Sequence, residues 1–176
     1  MSKQLLLVRH AKSDWPPGMS DLDRPLARRG VEAAPVMGRY LATQMLLPDM
    51  ALVSPSLRTG QTWALVKPEL GGDTPSIIES RIYEAPWQHL LKVLQALPNA
   101  VNTVLMVGHN PGSAELALAL TGFGDRYATQ RIATKYPTCG LAVLDLMEGS
   151  WTDLAPRSCR LDRFVTPVSI GAGPDS

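Results

Sequence analysis

Two histidines and two arginines stand where apolar runs give way to polar segments. Leu5-Leu6-Leu7-Val8 ends in Arg9-His10, and Met50-Ala51-Leu52-Val53 leads through Ser54-Pro55-Ser56-Leu57 to Arg58. The run from Thr103 to Val107 ends in Gly108-His109-Asn110-Pro111-Gly112. Each run has the length and composition of a buried strand. In an open α/β sheet, ligand chemistry gathers just beyond the carboxyl ends of the strands. An arginine placed there offers a planar fork of donors to an oxyanion, and a histidine offers a nucleophile or a proton carrier. Arg58 falls in the first turn of an expected helix, whose N-terminus already carries partial positive charge. A second positive charge at that point makes sense beside a bound anion. Singly, each residue has an ordinary alternative: a charged loop capping a strand, a solvated arginine, a structural histidine. Pooled, they describe a pocket of two imidazoles and two guanidiniums suited to a phosphoryl dianion.

Placing these groups requires alternating strands and helices. Leu26, Gly30, Ala33, Ala34, Met37, Leu41 and Met45 share one helical face, which predicts a helix from Leu26 to about Met45. Ser54 is a suitable N-cap with Pro55 at the first helical position, for a helix running to about Val66. A third strand is expected at Ser76–Tyr83. A helix opening at Pro86 carries Trp87, Leu90, Leu91, Leu94 and Leu97 on one face, and includes His89 as a structural residue. After the fourth strand, Ser113 to Leu120 reads as a helix and Leu141–Leu146 as a fifth strand, with a possible sixth around Trp151–Leu154. Residues 127–137, with Arg131 and Lys135, read as a solvated loop or as a segment shaping substrate entry. Gly171–Ser176 is expected to fray. Strands separated by helices imply right-handed βαβ units. The expectation is one α/β domain over residues 1–170, three-layered αβα with a mostly parallel central sheet.

Bulk composition removes several classes of function. The chain has 176 residues, 45% hydrophobic and 19% charged, which is the balance of a globular domain able to bury a core. Seventeen Lys and Arg against sixteen Asp and Glu leave a formal charge of +1, giving no long-range pull toward nucleic acid or an anionic membrane. No apolar stretch approaches the roughly 18 residues of a membrane span, and Met1 to Val8 is too short for a signal peptide. A cytoplasmic location is therefore expected. The two cysteines, Cys139 and Cys159, lack metal-site spacing and read as ordinary thiols. With neither a Gly-rich Lys-Ser/Thr loop nor an acidic cluster for magnesium, a nucleoside-triphosphate cradle is not expected. Phosphoryl transfer without a metal or cofactor then calls for a side-chain nucleophile, and a neutral histidine can serve.

Five segments, "LVRHAKS" at 7–13, "DRPLARRG" at 23–30, "SPSLRTGQT" at 54–62, "RIYEA" at 81–85 and "VGHNPG" at 107–112, resemble in type and order those of the histidine phosphatase superfamily. The fold so implied is phosphoglycerate-mutase-like, and the resemblance within it is to the short SixA-type phosphohistidine phosphatases. The resemblance implies that His10 is the nucleophile that becomes phosphorylated. It assigns Arg9, Arg58 and His109 to the phosphate pocket, where they bind the equatorial oxygens during in-line transfer. Positive neighbours would help to keep His10 neutral. Ser13 stands where the family often has a hydroxyl near phosphate. Glu84 stands where many relatives carry a general acid, though it also reads as a surface residue leading into the helix at Pro86. Glu79, within the expected strand, is the poorer candidate for that role.

The expected activity is a phosphatase with two half-reactions through His10, acting on a phosphorylated protein or a small phosphorylated molecule. Short spacings between the motifs leave little room for covering insertions, which favours an open pocket and a phosphohistidine on a protein. A small-molecule phosphomonoesterase is the alternative, and Glu84 would favour it because alkoxide leaving groups need protonation. A silent phosphoprotein-binding module should lack the nucleophile or one histidine, whereas His10 and His109 are both present.

Overall fold

Leu5, Leu6, Leu7 and Val8 are almost fully buried in the central strand β1 (Lys3–Arg9), with Leu5 and Leu7 on one face and Leu6 and Val8 on the other. A strand apolar on both faces must be covered on both, and the fold is built around that requirement. The structure, a computed structural model, describes residues 2–174. Around β1 lie β2 (Met50–Val53), β3 (Ser76–Ile78), β4 (Thr103–Gly108), β5 (Thr121–Gly124), β6 (Leu141–Leu146) and β7 (Cys159–Val165). They form one seven-stranded sheet in the order β3-β2-β4-β1-β6-β7-β5. Neighbours β3, β2, β4 and β1 run parallel, β6 is antiparallel to both β1 and β7, and β5 pairs parallel with β7.

Helices α1 (Arg28–Thr43) and α2 (Leu57–Val66) cover one face of the sheet. Met37 and Leu41 of α1 and Trp63 and Val66 of α2 pack there with Leu6, Val8, Leu105 and Val107. On the other face lie α3 (Trp87–Gln95), α4 (Gly112–Leu120) and α5 (Arg126–Thr134). Their Leu90, Leu94, Leu116, Leu120 and Ile132 join Leu5, Leu7, Val104 and Met106. This is a single three-layer α/β domain with a mixed, mostly parallel sheet, as expected.

Several elements depart from the sequence expectation. Met45 lies beyond the end of α1 with φ 56° and is 76% exposed, because the chain has already turned away from the sheet. The third strand stops at Ile78. Glu79 then caps a 3₁₀ turn, Ser80–Ile82, accepting from the Arg81 amide (3.0 Å). Trp151–Asp153 is also a 3₁₀ turn, closed by a capping box between Ser150 and Asp153, and the strand in that region is β7 instead. β7 escapes pattern reading because Arg160, Asp162 and Arg163 interrupt its apolar residues and its pairing with β6 shifts register. The stretch read as a solvated loop contains α5, capped by Asp125 Oδ1 on the Ala128 amide (2.9 Å) and anchored by buried Ala128 and Ile132. In the expected tail, the Ala172 amide donates to Pro167 (2.8 Å) and the Pro174 carbonyl accepts from Arg29 (3.1 Å). Asp175 and Ser176 lie outside the described residues.

Candidate active site

Parallel pairing of β1 with β4 aligns Val8 with Val107 and Arg9 with Gly108. The residues that follow, His10 and His109, thus emerge side by side with ring centroids 5.5 Å apart. β2 pairs with the opposite edge of β4, Val53 aligning with Val107, and delivers Ser54 and α2 to the same end of the sheet. Arg9, His10, Ser13, Arg58, Glu84 and His109 all line one cavity of about 570 Å³. His89 is exposed on α3, outside it.

The tautomer of His10 follows from its surroundings. Its Nδ1 lies 2.8 Å from the Ala11 carbonyl oxygen, which can only accept, so Nδ1 carries the proton and Nε2 keeps its lone pair. The residue is 6% exposed, and its pKa is lowered to about 3. Burial is the main cause; the positive neighbours invoked from sequence act in the same direction but come second. The local backbone is tightly held. The His10 amide donates to Gly108 (3.0 Å), and the Ala11 amide donates to Thr62 Oγ1 (2.9 Å), whose hydroxyl in turn donates to the Arg58 carbonyl (2.7 Å).

His109 is the reverse tautomer. Arg58 Nη2 can only donate, so at 3.2 Å it leaves His109 Nδ1 as acceptor and the ring proton on Nε2, which donates to Ser54 Oγ (2.7 Å). Its pKa is lowered to about 4, by burial first and by the Arg58 charge second. Ser54 is thus a partner of His109 and not the helix cap. Ser56 caps α2, accepting from the Thr59 amide (3.3 Å).

Arg58 is buried, with Nη1 on the Asp21 carbonyl (2.7 Å) and Nη2 on Asp21 Oδ2 (3.1 Å). The Asp21 carboxylate also accepts from the Tyr83 hydroxyl and from Arg24 Nη1 (3.1 Å). These contacts, that of Tyr83 foremost, hold its pKa down to about 2, while the Tyr83 phenol is pushed up to about 12. Arg9 donates through Nη1 to the Tyr136 carbonyl (2.9 Å), which Asn110 Nδ2 also reaches (2.9 Å). Burial lowers the Arg9 pKa. Ser13 Oγ accepts from Arg24 Nη2 (2.7 Å). Glu84 is exposed at the cavity wall with φ 52°, a left-handed backbone unusual for a residue with a side chain. Glu79 is committed to Arg81 through two ion-paired contacts, 2.8 and 2.9 Å.

Sequence reasoning missed Ser54, Asp21 and Tyr83. Ser54 carried a usable signal, being the first polar residue after β2, like His10 after Arg9. Asp21 carried none: only the folded chain brings it to Arg58, 37 positions on.

Residues 5–92 match the histidine phosphatase superfamily (branch 1). The chain belongs to this superfamily. A curated relative, an uncharacterized protein of Mycobacterium leprae, is 38% identical over 165 residues, covering 91% of this chain and 99% of the relative. Among solved structures, the chain is similar to a protein of Nakamurella multipartitia assigned provisionally as the phosphohistidine phosphatase SixA (27% identity, TM-score 0.83, 96% of this chain and 98% of that one). A protein of Agrobacterium tumefaciens with the same provisional assignment is 28% identical with TM-score 0.77, over 94% and 99% of the two chains. The phosphoglycerate-mutase-like fold of the superfamily therefore extends over nearly the whole chain. No helix among the described residues is long and apolar enough to cross a membrane.

Proposed function

We propose that this superfamily member is a phosphatase that works through a phosphorylated His10, and that its substrate is a phosphohistidine on a protein. The observation that carries the reading is the Nδ1 contact to the Ala11 carbonyl, which leaves the His10 Nε2 lone pair beside Arg9, Arg58 and His109 in a cavity. In the first half-reaction, Nε2 attacks phosphorus as the bond to the leaving nitrogen breaks; the electron pair departs on that nitrogen, and the substrate imidazole leaves neutral because its other ring nitrogen carries a proton taken from solvent. In the second, a water oxygen attacks phosphorus and the P–Nε2 bond breaks, returning its pair to His10. The water proton passes to phosphate or to solvent. Arg9 and Arg58, whose buried Nε atoms have no partner, are the donors available to charge on the transferring oxygens, and His109, its Nε2–H held by Ser54, lines the same cavity. No metal or cofactor enters either step. Support for a protein substrate comes from the exposed rim of the cavity, where Glu84, Pro86, Pro111 and Glu115 stand in solvent. The names given to the solved relatives point the same way.

The second reading, a small-molecule phosphomonoesterase, is favoured by Glu84 in the cavity wall, where it would protonate an alkoxide. Wild type and His10→Ala should be compared on a phosphohistidine-bearing protein and a panel of phosphate monoesters. The expected result is that the variant loses turnover on both and forms no phosphoenzyme. Turnover by His10→Ala at the wild-type rate would remove His10 from the chemistry. A wild type preferring esters by orders of magnitude would establish the second reading. Glu84→Gln should slow ester hydrolysis and spare phosphohistidine, since imidazole departs with less help.

A further inference from the structure

The Arg58 guanidinium is engaged by a carboxylate from its own chain. Asp21 sits in the 3₁₀ turn Asp21–Asp23, on the polar stretch between β1 and α1, and takes two Arg58 donors, one on its carbonyl and one on Oδ2. Its carboxylate is further held by the Tyr83 hydroxyl and by Arg24, which itself is tied to Ser13 and stacks 4.3 Å over the Trp15 ring. Asp21 and Arg58 line the same cavity as Arg9 and His10. A phosphoryl dianion there meets a fixed negative charge on the fork that would bind it. Donors shared between two anions serve neither fully, and the anions repel each other.

We propose that Asp21 is a positioning residue for Arg58, holding the guanidinium fork in the free pocket and ceding it to phosphoryl oxygens when substrate binds. Through the same fork, Asp21 also settles His109, since Arg58 Nη2 bridges Asp21 Oδ2 and His109 Nδ1. This role rests on the phosphatase reading above. Asp21 promotes release of phosphate as well as order in the free site.

Asp21→Asn keeps the shape of the side chain and an acceptor for Arg58 while removing its charge. Isothermal titration of the folded variant with inorganic phosphate should show binding about tenfold tighter than wild type. KM and kcat should fall together as product is retained. Tyr83→Phe loosens the carboxylate and leaves the ring edge-on to His109 (5.5 Å between centroids); it should shift phosphate affinity in the same direction by a smaller factor. A residue of purely structural importance would weaken phosphate binding or leave it unchanged, and either result for Asp21→Asn overturns the proposal. If Asp21→Asn does not fold, the Tyr83→Phe titration decides by the same criterion. Should wild type itself bind no phosphate, the phosphatase reading fails and takes this role with it; wild-type binding with no tightening in the variants removes the Asp21 role alone.

Discussion

At the scale of single residues, the site depends on where two protons sit. Carbonyl and guanidinium partners of fixed polarity, Ala11 for His10 and Arg58 for His109, give the rings opposite tautomers. Burial then keeps both neutral far below the ordinary histidine range. That has a consequence for stability with a definite sign. A histidine whose pKa is lower folded than unfolded favours the native state fully above the unfolded value of about 6.5. Its contribution is lost as pH falls toward the folded value, because the unfolded chain takes the proton first. Urea midpoints should therefore decline between about pH 6.5 and pH 3. The decline should be shallower in His10→Asn, which has no proton to gain. Equal slopes in the two proteins would show that His10 does not titrate on unfolding. Asp21 acts at more acid pH: its lowered pKa stabilises the fold above the usual carboxylate range and ceases to do so as pH falls through about 2.

At the scale of elements, the site is held by how α2 begins and how closely α1 approaches the segment after β1. The Ser56 hydroxyl satisfies an otherwise orphaned donor at the start of α2, two residues before Arg58. Ser56→Ala should cost about 1 kcal/mol in urea unfolding and reduce kcat/KM, because the frayed turn carries the guanidinium. α1 approaches so closely that a Cβ on Gly30 would lie 2.2 Å from the Lys12 carbonyl oxygen. Gly30→Ala must push backbone against backbone, and a loss of about 1–3 kcal/mol is expected. The strain falls on Lys12 and Ser13 at the cavity wall, so phosphate affinity should weaken with it. A variant with wild-type stability would mean that α1 can shift freely.

At the scale of the whole molecule, the site sits on a sheet with an apolar cluster on either side. Met106 in β4 is fully buried in one cluster and its neighbour Leu105 in the other. Met106→Ala should lower stability by about 2–5 kcal/mol through lost burial and a residual cavity. Its kcat/KM per folded molecule should stay close to wild type, since Met106 does not line the cavity. Unfolding measured by circular dichroism, alongside activity corrected for the folded fraction, separates the two effects. A large fall in corrected activity would show that core packing reaches the groups that line the cavity.

The sequence by itself determined the strands that carry an unbroken run of four apolar residues, β1, β2, β4 and β6, and the helices with one clear apolar stripe. Those patterns are local and dense enough to dominate any context. It also singled out Arg9, His10, Arg58 and His109, because strand ends in a parallel sheet share one edge. Only the tertiary structure decided the elements whose stability comes from neighbours: the charge-interrupted β7, the short β5 and the capped helix α5. It also decided the partners of the site. Ser54 turns to His109 because Ser56 caps the helix, and Asp21 meets Arg58 and Tyr83 because three separate segments converge beyond the sheet edge. Hydrogen bonds between segments distant in sequence follow from packing, and no local pattern encodes them.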